Sequence, residues 1–334
     1  MSESAVATPR PPKQEQERAT TAVDEVAPGI VRTQLPIEMP GLGHVNFYLL
    51  EDERGIAVVD PGLPGDESWA ALVDRLQRAG YRVSDVHTVI VTHSHPDHYG
   101  GAMRLRYETG ADLVTHESFR TIWDPGELDD EDSGALQINT ADEQADALER
   151  YFSKPSPWGG RRAGPSPEFI ERMRSAREHD HGAYSIPRPT RPMIDGQTIS
   201  LARREWVAMH TPGHTFDHLC LYDPEGGVVL TGDHVLPSIT PHISGMSPQD
   251  DPLAEFFASL HRMEGLDNVS VALPAHGGVV KVVAVHQPAG LDADGRVAGV
   301  LAERLTAVHA GDVLPGARLG LVPVAVEHQH QVLA

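Results

Sequence analysis

The sequence predicts an α/β fold whose strands end in loops that carry histidine and aspartate. Residues 86–92 are apolar and rich in β-branched side chains, as expected for a buried strand. The next six residues, 93–98, have the pattern H-x-H-x-D-H, and a glycine pair at 100–101 then leads into a run of helical character. Open α/β folds place their chemistry on loops at the carboxyl ends of strands. The pattern therefore marks a candidate functional loop.

The histidines and the aspartate in this loop are spaced to hold two metal ions. In an extended chain His93 and His95 point to the same side, because side chains alternate with a period of two. Asp97 and His98 follow where the chain turns, so they can face a second position nearby. Imidazole nitrogens and carboxylate oxygens are good ligands for zinc and similar ions. The alternative interpretation is a solvated polar loop whose histidines are incidental.

The residues before this loop predict a tail, three strands and a helix. Residues 1–28 are rich in Pro, Glu, Gln, Thr and Ala without apolar periodicity, which predicts a disordered tail. Asp60-Pro61-Gly62 ends the last of these strands and is typical of a turn. Residues 66–79 carry apolar side chains at helical spacing, and Gly80 is typical of a helix end. The strand-like runs are 29–35, 44–50 and 56–60.

The residues after the loop predict a long insertion and then a return to the domain. Residues 102–108 have helical character, and residues 111–116 are strand-like. Residues 117–195 depart from a minimal domain, and we expect a helical lid over the mouth of the site that selects the substrate. Residues 286–334 have no assignable role. The remaining strand-like runs are 197–201, 206–210, 219–222, 228–231 and 269–273, with a helix at 253–263.

Three more short motifs with histidine or aspartate follow apolar strands. They are T-P-G-H-T at 211–215, L-T-G-D-H at 230–234 and L-P-A-H-G at 273–277. Together with the first loop they resemble the metallo-β-lactamase fold superfamily in the expected order, over roughly residues 29–285. The resemblance implies an αββα sandwich with a metal site at one edge.

The resemblance also implies a ligand set for two divalent ions, with zinc expected and iron or manganese as alternatives. His93, His95 and His214 correspond to the ligands of one metal. Asp97, His98 and His276 correspond to the ligands of the second metal. Asp233 corresponds to the residue that bridges the two metals. We also expect a catalytic role for Asp97, which can orient the attacking hydroxide and pass a proton to the leaving group. The complete set is similar to that of glyoxalase II-type thioesterases, lactonases and phosphodiesterase members of this fold. The resemblance also implies that Asp60, in an Asp-x-Gly turn, supports the metal loop.

Single positions narrow the expected reaction. His95 stands where the flavodiiron oxygen reductases of this fold carry an acidic residue, which favours hydrolysis over redox chemistry. Asp233 stands where true β-lactamases usually carry Cys or Ser, which argues against antibiotic hydrolysis. Leu236 stands where quorum-quenching lactonases of this fold carry a tyrosine, which argues against that subclass of lactonase. We therefore predict a hydrolase that cleaves an ester-like bond, thioester or lactone, in a small molecule. The alternatives are a phosphodiesterase and a metal-binding protein without turnover.

Other histidines and the cysteine lie near these motifs. His210 and His218 are expected to be structural, whereas His234 and His242 are expected on the rim of the site. Cys220 lies on an apolar strand, where a buried structural role is expected.

Composition limits the partners. Asp and Glu number 48 against 27 Lys and Arg, a net charge of −21, which disfavours nucleic acid and anionic membrane surfaces. A single cysteine excludes an intramolecular disulfide, and no run of 18 apolar residues is present. We expect a cytoplasmic protein that acts on a small molecule, with a homodimer possible.

Overall fold

The computed structural model describes residues 13–39, 41–121, 187–244 and 249–281. Within these ranges the chain forms two β-sheets of seven and six strands. The strands of the first sheet follow one another in chain order, β1 to β7. They are β1 Asp24–Ala27, β2 Ile30–Met39, β3 Leu42–Asp52, β4 Gly55–Val59, β5 Val86–Ile90, β6 Asp112–His116 and β7 Arg191–Met193.

The first sheet changes direction halfway across. Strands β1 to β4 are antiparallel neighbours, and β5, β6 and β7 then add in parallel. Parallel strands need crossover connections, and two of these are helices. The described helices that cover this sheet are α1 Asp66–Arg78, the single turn α2 Pro96–Tyr99 and α3 Ala102–Thr109.

The second sheet has the order β13-β12-β11-β10-β9-β8. Its pairs are antiparallel except β11 with β12, which are parallel. Helix α4, Pro252–Glu264, connects that parallel pair, and its first turn is capped by the Asp251 carboxylate, which accepts from the Ala254 amide. The strands are β8 Thr198–Leu201, β9 Arg204–His210, β10 Leu219–Asp223, β11 Val228–Gly232, β12 Val271–Pro274 and β13 Val280–Lys281.

Side chains alternate between the two faces of each strand, so one strand contributes to two hydrophobic cores. On β3, Phe47 and Leu49 belong to the core under α1 and α3, whereas Tyr48 and Leu50 belong to the core between the sheets. Both faces are buried, so the strand is apolar at every position from 47 to 50. A third core packs the outer face of the second sheet against Met263 of α4. The predicted αββα sandwich is confirmed.

Part of the predicted tail is ordered, so that expectation was wrong for residues 13–28. Residues 24–27 form β1 on the edge of the first sheet, and Glu15 is fully buried. The ordering comes from hydrogen bonds to distant loops, described below, rather than from local apolar periodicity.

The predicted insertion is described only at its two ends. Strand β7 lies within it and pairs with β6, so the first sheet extends further than the sequence indicates. The helices expected over residues 122–186, and the segment 286–334, lie outside the described residues. Among the helices that are described, none has the length and apolar character needed to cross a bilayer.

Candidate metal centre

All four histidine and aspartate motifs meet at one edge of the sandwich. The loop after β5 carries His93, His95, Asp97 and His98, and Pro96 begins the short turn α2 that changes the chain direction. The loops after β9, β11 and β12 carry the remaining residues, His214, Asp233 and His276. Because these strands end at the same edge, residues far apart in sequence converge there.

The first group of side chains places three ring nitrogens close together. His95 Nδ1 lies 3.0 Å from His93 Nε2 and 3.1 Å from His214 Nε2. Asp233 Oδ2 lies 3.3 Å from His214 Nε2 and 3.9 Å from His93 Nε2. These four atoms form one of two clusters with the composition of a metal site among the described residues.

The second group forms beside the first. Asp97 Oδ2 lies 3.4 Å from His98 Nε2 and 3.5 Å from His276 Nε2. These three residues form the other cluster. Asp233 reaches this cluster too, with Oδ1 3.3 Å from His276 Nε2 and Oδ2 3.7 Å from His98 Nε2. A carboxylate that faces both clusters has the position required of a bridging ligand.

The residues present fit two divalent ions. Zinc holds nitrogen and oxygen ligands at about 2.0–2.2 Å in a tetrahedron, which places neighbouring ligand atoms about 3.3–3.6 Å apart. Most of the separations above fall close to that spacing. His98 Nε2, His276 Nε2 and Asp233 Oδ1 are buried without a hydrogen-bond partner, which is costly for polar atoms unless an ion satisfies them. The donor set is therefore that of a metal centre.

Hydrogen bonds behind the ligands fix which ring nitrogen faces inward. His98 Nδ1 donates to Asp60 Oδ2 at 3.0 Å, as expected for Asp60 from its position in the sequence. His214 Nδ1 donates to the His242 carbonyl at 2.7 Å, and His276 Nδ1 donates to the His44 carbonyl at 2.5 Å. In the neutral form of each ring, Nε2 then carries no proton and can accept a metal.

Burial and mutual charge set the protonation of the centre. Burial acts to lower the pKa of His98, but the charges of Asp97 and Asp233 outweigh it and hold that pKa well above its usual value, so a metal ion would displace a proton from this ring. Burial lowers the pKa of His95 to about 3, and burial together with the charge of His98 lowers the pKa of His93 well below its usual value. For Asp97, burial acts to raise the pKa, but the charges of His98 and His276 outweigh it and bring the value to about 2. The same balance holds the pKa of Asp233 well below its usual value, through His276 and His98. The carboxylates are ionised at neutral pH.

The histidines outside the ligand groups have supporting contacts. His218 is fully buried and accepts from the Asp233 amide through Nε2 at 3.1 Å, while its Nδ1 meets the Thr211 hydroxyl at 2.8 Å. His210 stacks on His116 with ring centroids 3.8 Å apart. His234 is buried beside Phe256 rather than displayed on the rim.

A cysteine and an aspartate are also buried close to the centre. Cys220 is fully buried on β10, as expected, and burial raises the pKa of its thiol to about 12. Asp217, which no motif in the sequence singles out, accepts from the Ser94 hydroxyl at 3.0 Å. Burial raises the pKa of Asp217 to about 7.

The described elements form an αββα sandwich with two groups of metal-ligating side chains at one edge. The sequence profile of the metallo-beta-lactamase superfamily matches residues 40–276. The chain therefore belongs to the metallo-β-lactamase superfamily.

Three relatives illustrate the similarity. The probable metallo-hydrolase YqjP of Bacillus subtilis is 26% identical over 244 residues, which are 71% of this chain and 68% of that protein. A metallo-beta-lactamase family protein of Thermus thermophilus superposes with a TM-score of 0.57 at 27% identity, covering 76% of this chain and 75% of that one. The atrochrysone carboxyl ACP thioesterase of Aspergillus fumigatus is 31% identical over 124 residues, 37% of this chain and 27% of that protein. The chain spans between 27% and 38% of the length of three fungal relatives.

Proposed function

We propose that this protein hydrolyses an ester-like bond, a thioester or a lactone, in a small molecule with the help of two divalent ions. The observation that carries the proposal is the convergence of two ligand groups on a shared carboxylate, Asp233, which reaches atoms of both at 3.3 Å. The first group comprises His93, His95 and His214, and the second comprises Asp97, His98 and His276. Zinc is the proposed metal because of the histidine and carboxylate donors.

Divalent ions held by these residues would supply Lewis acidity: they would lower the pKa of a bound water toward neutrality and polarise the carbonyl whose carbon is attacked. The residues of the chain supply the rest. Asp233 and the histidines hold the geometry, and their burial excludes bulk water from the reacting bond. Asp97 is the proposed catalytic residue, since its ionised carboxylate within the second group can accept a proton from the attacking water and pass it to the leaving group.

A carbonyl substrate is favoured over a phosphodiester by the relatives and by charge. Two of the matched fungal relatives are named as thioesterases that act on an acyl carrier protein substrate. The chain itself has a net charge of −21, which disfavours a nucleic-acid phosphodiester as the substrate. Thioester hydrolysis is therefore placed first, with lactone hydrolysis second.

A hydrolysis panel on zinc-loaded protein tests this proposal. It contains an acyl-pantetheine thioester, an acyl-glutathione thioester, a long-chain lactone, an aryl phosphodiester and a β-lactam. His95→Ala serves as the blank, and His261→Ala is the matched control, because His261 is an exposed histidine on α4 away from the ligand groups. Turnover of a thioester or lactone by wild type and His261→Ala, but not by His95→Ala, supports the proposal.

Two results would overturn it. Turnover of the phosphodiester alone would replace the substrate class and keep the metal centre. A metal-loaded protein that is silent across the panel would favour metal binding without turnover. Repeating the panel with iron and manganese separates an incorrect metal from an incorrect substrate.

We place the protein in the cytoplasm as part of the same proposal. Its single cysteine, Cys220, is buried as a thiol, which suits a reducing compartment. The homodimer remains a prediction, which the elution volume of the purified protein with light scattering would test.

A further inference from the structure

A short segment at the start of the described chain packs against the metal-bearing edge. This N-terminal clip, residues 13–17, contains a single turn of 3₁₀ helix at Gln14–Gln16. It lies directly on β3: a Cβ atom placed on Gly43 would stand only 2.4 Å from the Glu17 carbonyl oxygen. The clip is therefore seated against the sandwich by close backbone contact, and Gly43 leaves the space for it.

Glu15 fastens the clip to the loop that follows the bridging aspartate. We call residues 233–244 the Asp233 loop. The Glu15 side chain is fully buried, and its Oε1 accepts from the amides of Ser238 at 2.7 Å and Ile239 at 3.3 Å. Its Oε2 accepts from the Ser238 hydroxyl. Burying a carboxylate is costly without such donors, so the three hydrogen bonds fix the position of the clip relative to the Asp233 loop.

The Asp233 loop in turn orients a ligand of the first group. His242, near the end of this loop, provides the carbonyl oxygen that accepts from His214 Nδ1 at 2.7 Å. That bond leaves His214 Nε2 unprotonated and aimed at His95 Nδ1. Displacing the loop would remove the acceptor and release the ring.

A second set of hydrogen bonds connects the clip to the second ligand group. The Glu17 carbonyl accepts from His44 Nδ1 at 2.7 Å, so His44 Nε2 is the acceptor nitrogen and receives the Gly277 amide at 3.0 Å. The carbonyl of His44 accepts from His276 Nδ1. Gln14 Oε1 also accepts from the Gly278 amide at 3.0 Å. His44 and the residues that follow His276 are thus held from one side by the clip.

We propose that Glu15 is a positioning residue of the metal centre: by fastening the N-terminal clip to the Asp233 loop, it fixes the hydrogen-bond acceptors that orient His214 and His276. It touches neither ligand and acts only through the two loops. The inference rests on the proposed metal centre, and its test must separate a failure of the clip from a failure of that centre.

The test compares full-length variants in the same segment. Glu15→Ala removes all three acceptor contacts, and Glu15→Gln keeps a carbonyl oxygen for the two amides. Glu17→Ala is the matched control, because it removes the side chain of an exposed residue and leaves the carbonyl that His44 uses. Ser238→Ala keeps the amide contacts of Glu15 and removes the two contacts of the hydroxyl, its donation to Glu15 and its acceptance from the Gln14 amide at 3.1 Å. The dissociation constants for zinc are measured by competition with a chromophoric chelator, on protein whose folding is verified by circular dichroism.

We expect Glu15→Ala to weaken zinc binding about tenfold, at the lower end of the range for groups that orient ligands. Glu15→Gln should recover most of that loss, Ser238→Ala should lose about threefold, and Glu17→Ala should match wild type. In the zinc-loaded protein, the ¹⁵N-detected tautomer signals of His214 and His276 should shift or broaden in Glu15→Ala alone.

A merely structural Glu15 gives a different pattern. It would lower the free energy of unfolding of the metal-free protein while the zinc dissociation constants and the histidine signals stayed at their wild-type values, and that result would overturn the inference. Equal losses in Glu15→Ala and Glu17→Ala would also overturn it. If Glu15→Ala does not fold, wild-type affinity in Ser238→Ala refutes the loop contact. A wild-type protein that binds no zinc refutes the metal centre itself.

Discussion

Asp60 offers the sharpest test of how the centre is held, because it supports one histidine of each ligand group. Its Oδ2 accepts from His98 Nδ1 at 3.0 Å and from the Thr92 hydroxyl at 2.8 Å. The Thr92 oxygen lies 3.1 Å from His93 Nδ1 and, since its proton goes to Asp60, accepts from that ring. Asp60→Asn replaces the accepting oxygen with an amide that can only donate, so both links are lost.

The cost can be worked from these contacts. In the native protein the Thr92 amide donates to Asp60 Oδ1 at 2.9 Å. Asn at position 60 retains that oxygen, so this hydrogen bond is kept. Asp60 has a φ of 54°, in the left-handed region that Asn adopts readily, so the backbone adds no cost. A hydrogen bond to a charged group contributes about 1.5–3 kcal/mol. Loss of an orienting partner weakens metal binding about 10–100-fold, which is about 1.4–2.7 kcal/mol and agrees with that range.

The assay is a two-step zinc titration against a chelator. Asp60→Asn should weaken both binding steps, whereas Thr92→Val should weaken only the step that involves His93. Asp223→Asn is the control for general destabilisation, since Asp223 is equally buried but pairs with Arg204 on the neighbouring strand β9. Wild-type affinity in Asp60→Asn would refute the reasoning. Equal losses in Asp60→Asn and Asp223→Asn would assign the effect to stability instead.

Three further changes test other parts of the structure. His95→Ala should abolish hydrolysis and lower zinc content while the circular dichroism spectrum stays native; wild-type turnover would refute the ligand assignment. Gly213→Ala should weaken zinc binding and lower the melting temperature. Gly213 precedes His214 and has a φ of 135°, and a Cβ at this position would stand 2.4 Å from Phe256 Cβ. Unchanged zinc binding in this variant would show that the turn has no part in placing His214. Asp217 has its folded pKa raised to about 7 from 3.8, so its contribution to stability is full below pH 3.8 and is lost as the pH rises through 7. Asp217→Asn should therefore become more stable relative to wild type between about pH 4 and pH 7, by up to about 4 kcal/mol in urea unfolding of chelator-treated protein; a constant difference across that range would contradict the pKa.

The sequence predicted the sandwich and the side chains that meet at its edge. Apolar runs set the strands, and the loops between them display histidine and aspartate in patterns that are recognisable without coordinates. Strand β7 was missed because three residues, two of them exposed, carry no apolar pattern to separate them from a loop. The order of residues 13–28 was missed because the donors that satisfy Glu15 lie 223 and 224 residues away in the chain.

The orientation of the ligands was the least predictable part, and its cause is physical. His214 and His276 direct Nδ1 to main-chain carbonyl oxygens, and every residue in the chain possesses one, so no side-chain identity marks His242 or His44 as a partner. Only the path of the two loops selects those carbonyls. His98, by contrast, uses the side chain of Asp60, and there the sequence did indicate the partner. The orientation of His98 can therefore be tested directly by substituting its side-chain acceptor. The orientation of His214 and His276 can be tested only through the residues, such as Glu15, that hold the two loops in place.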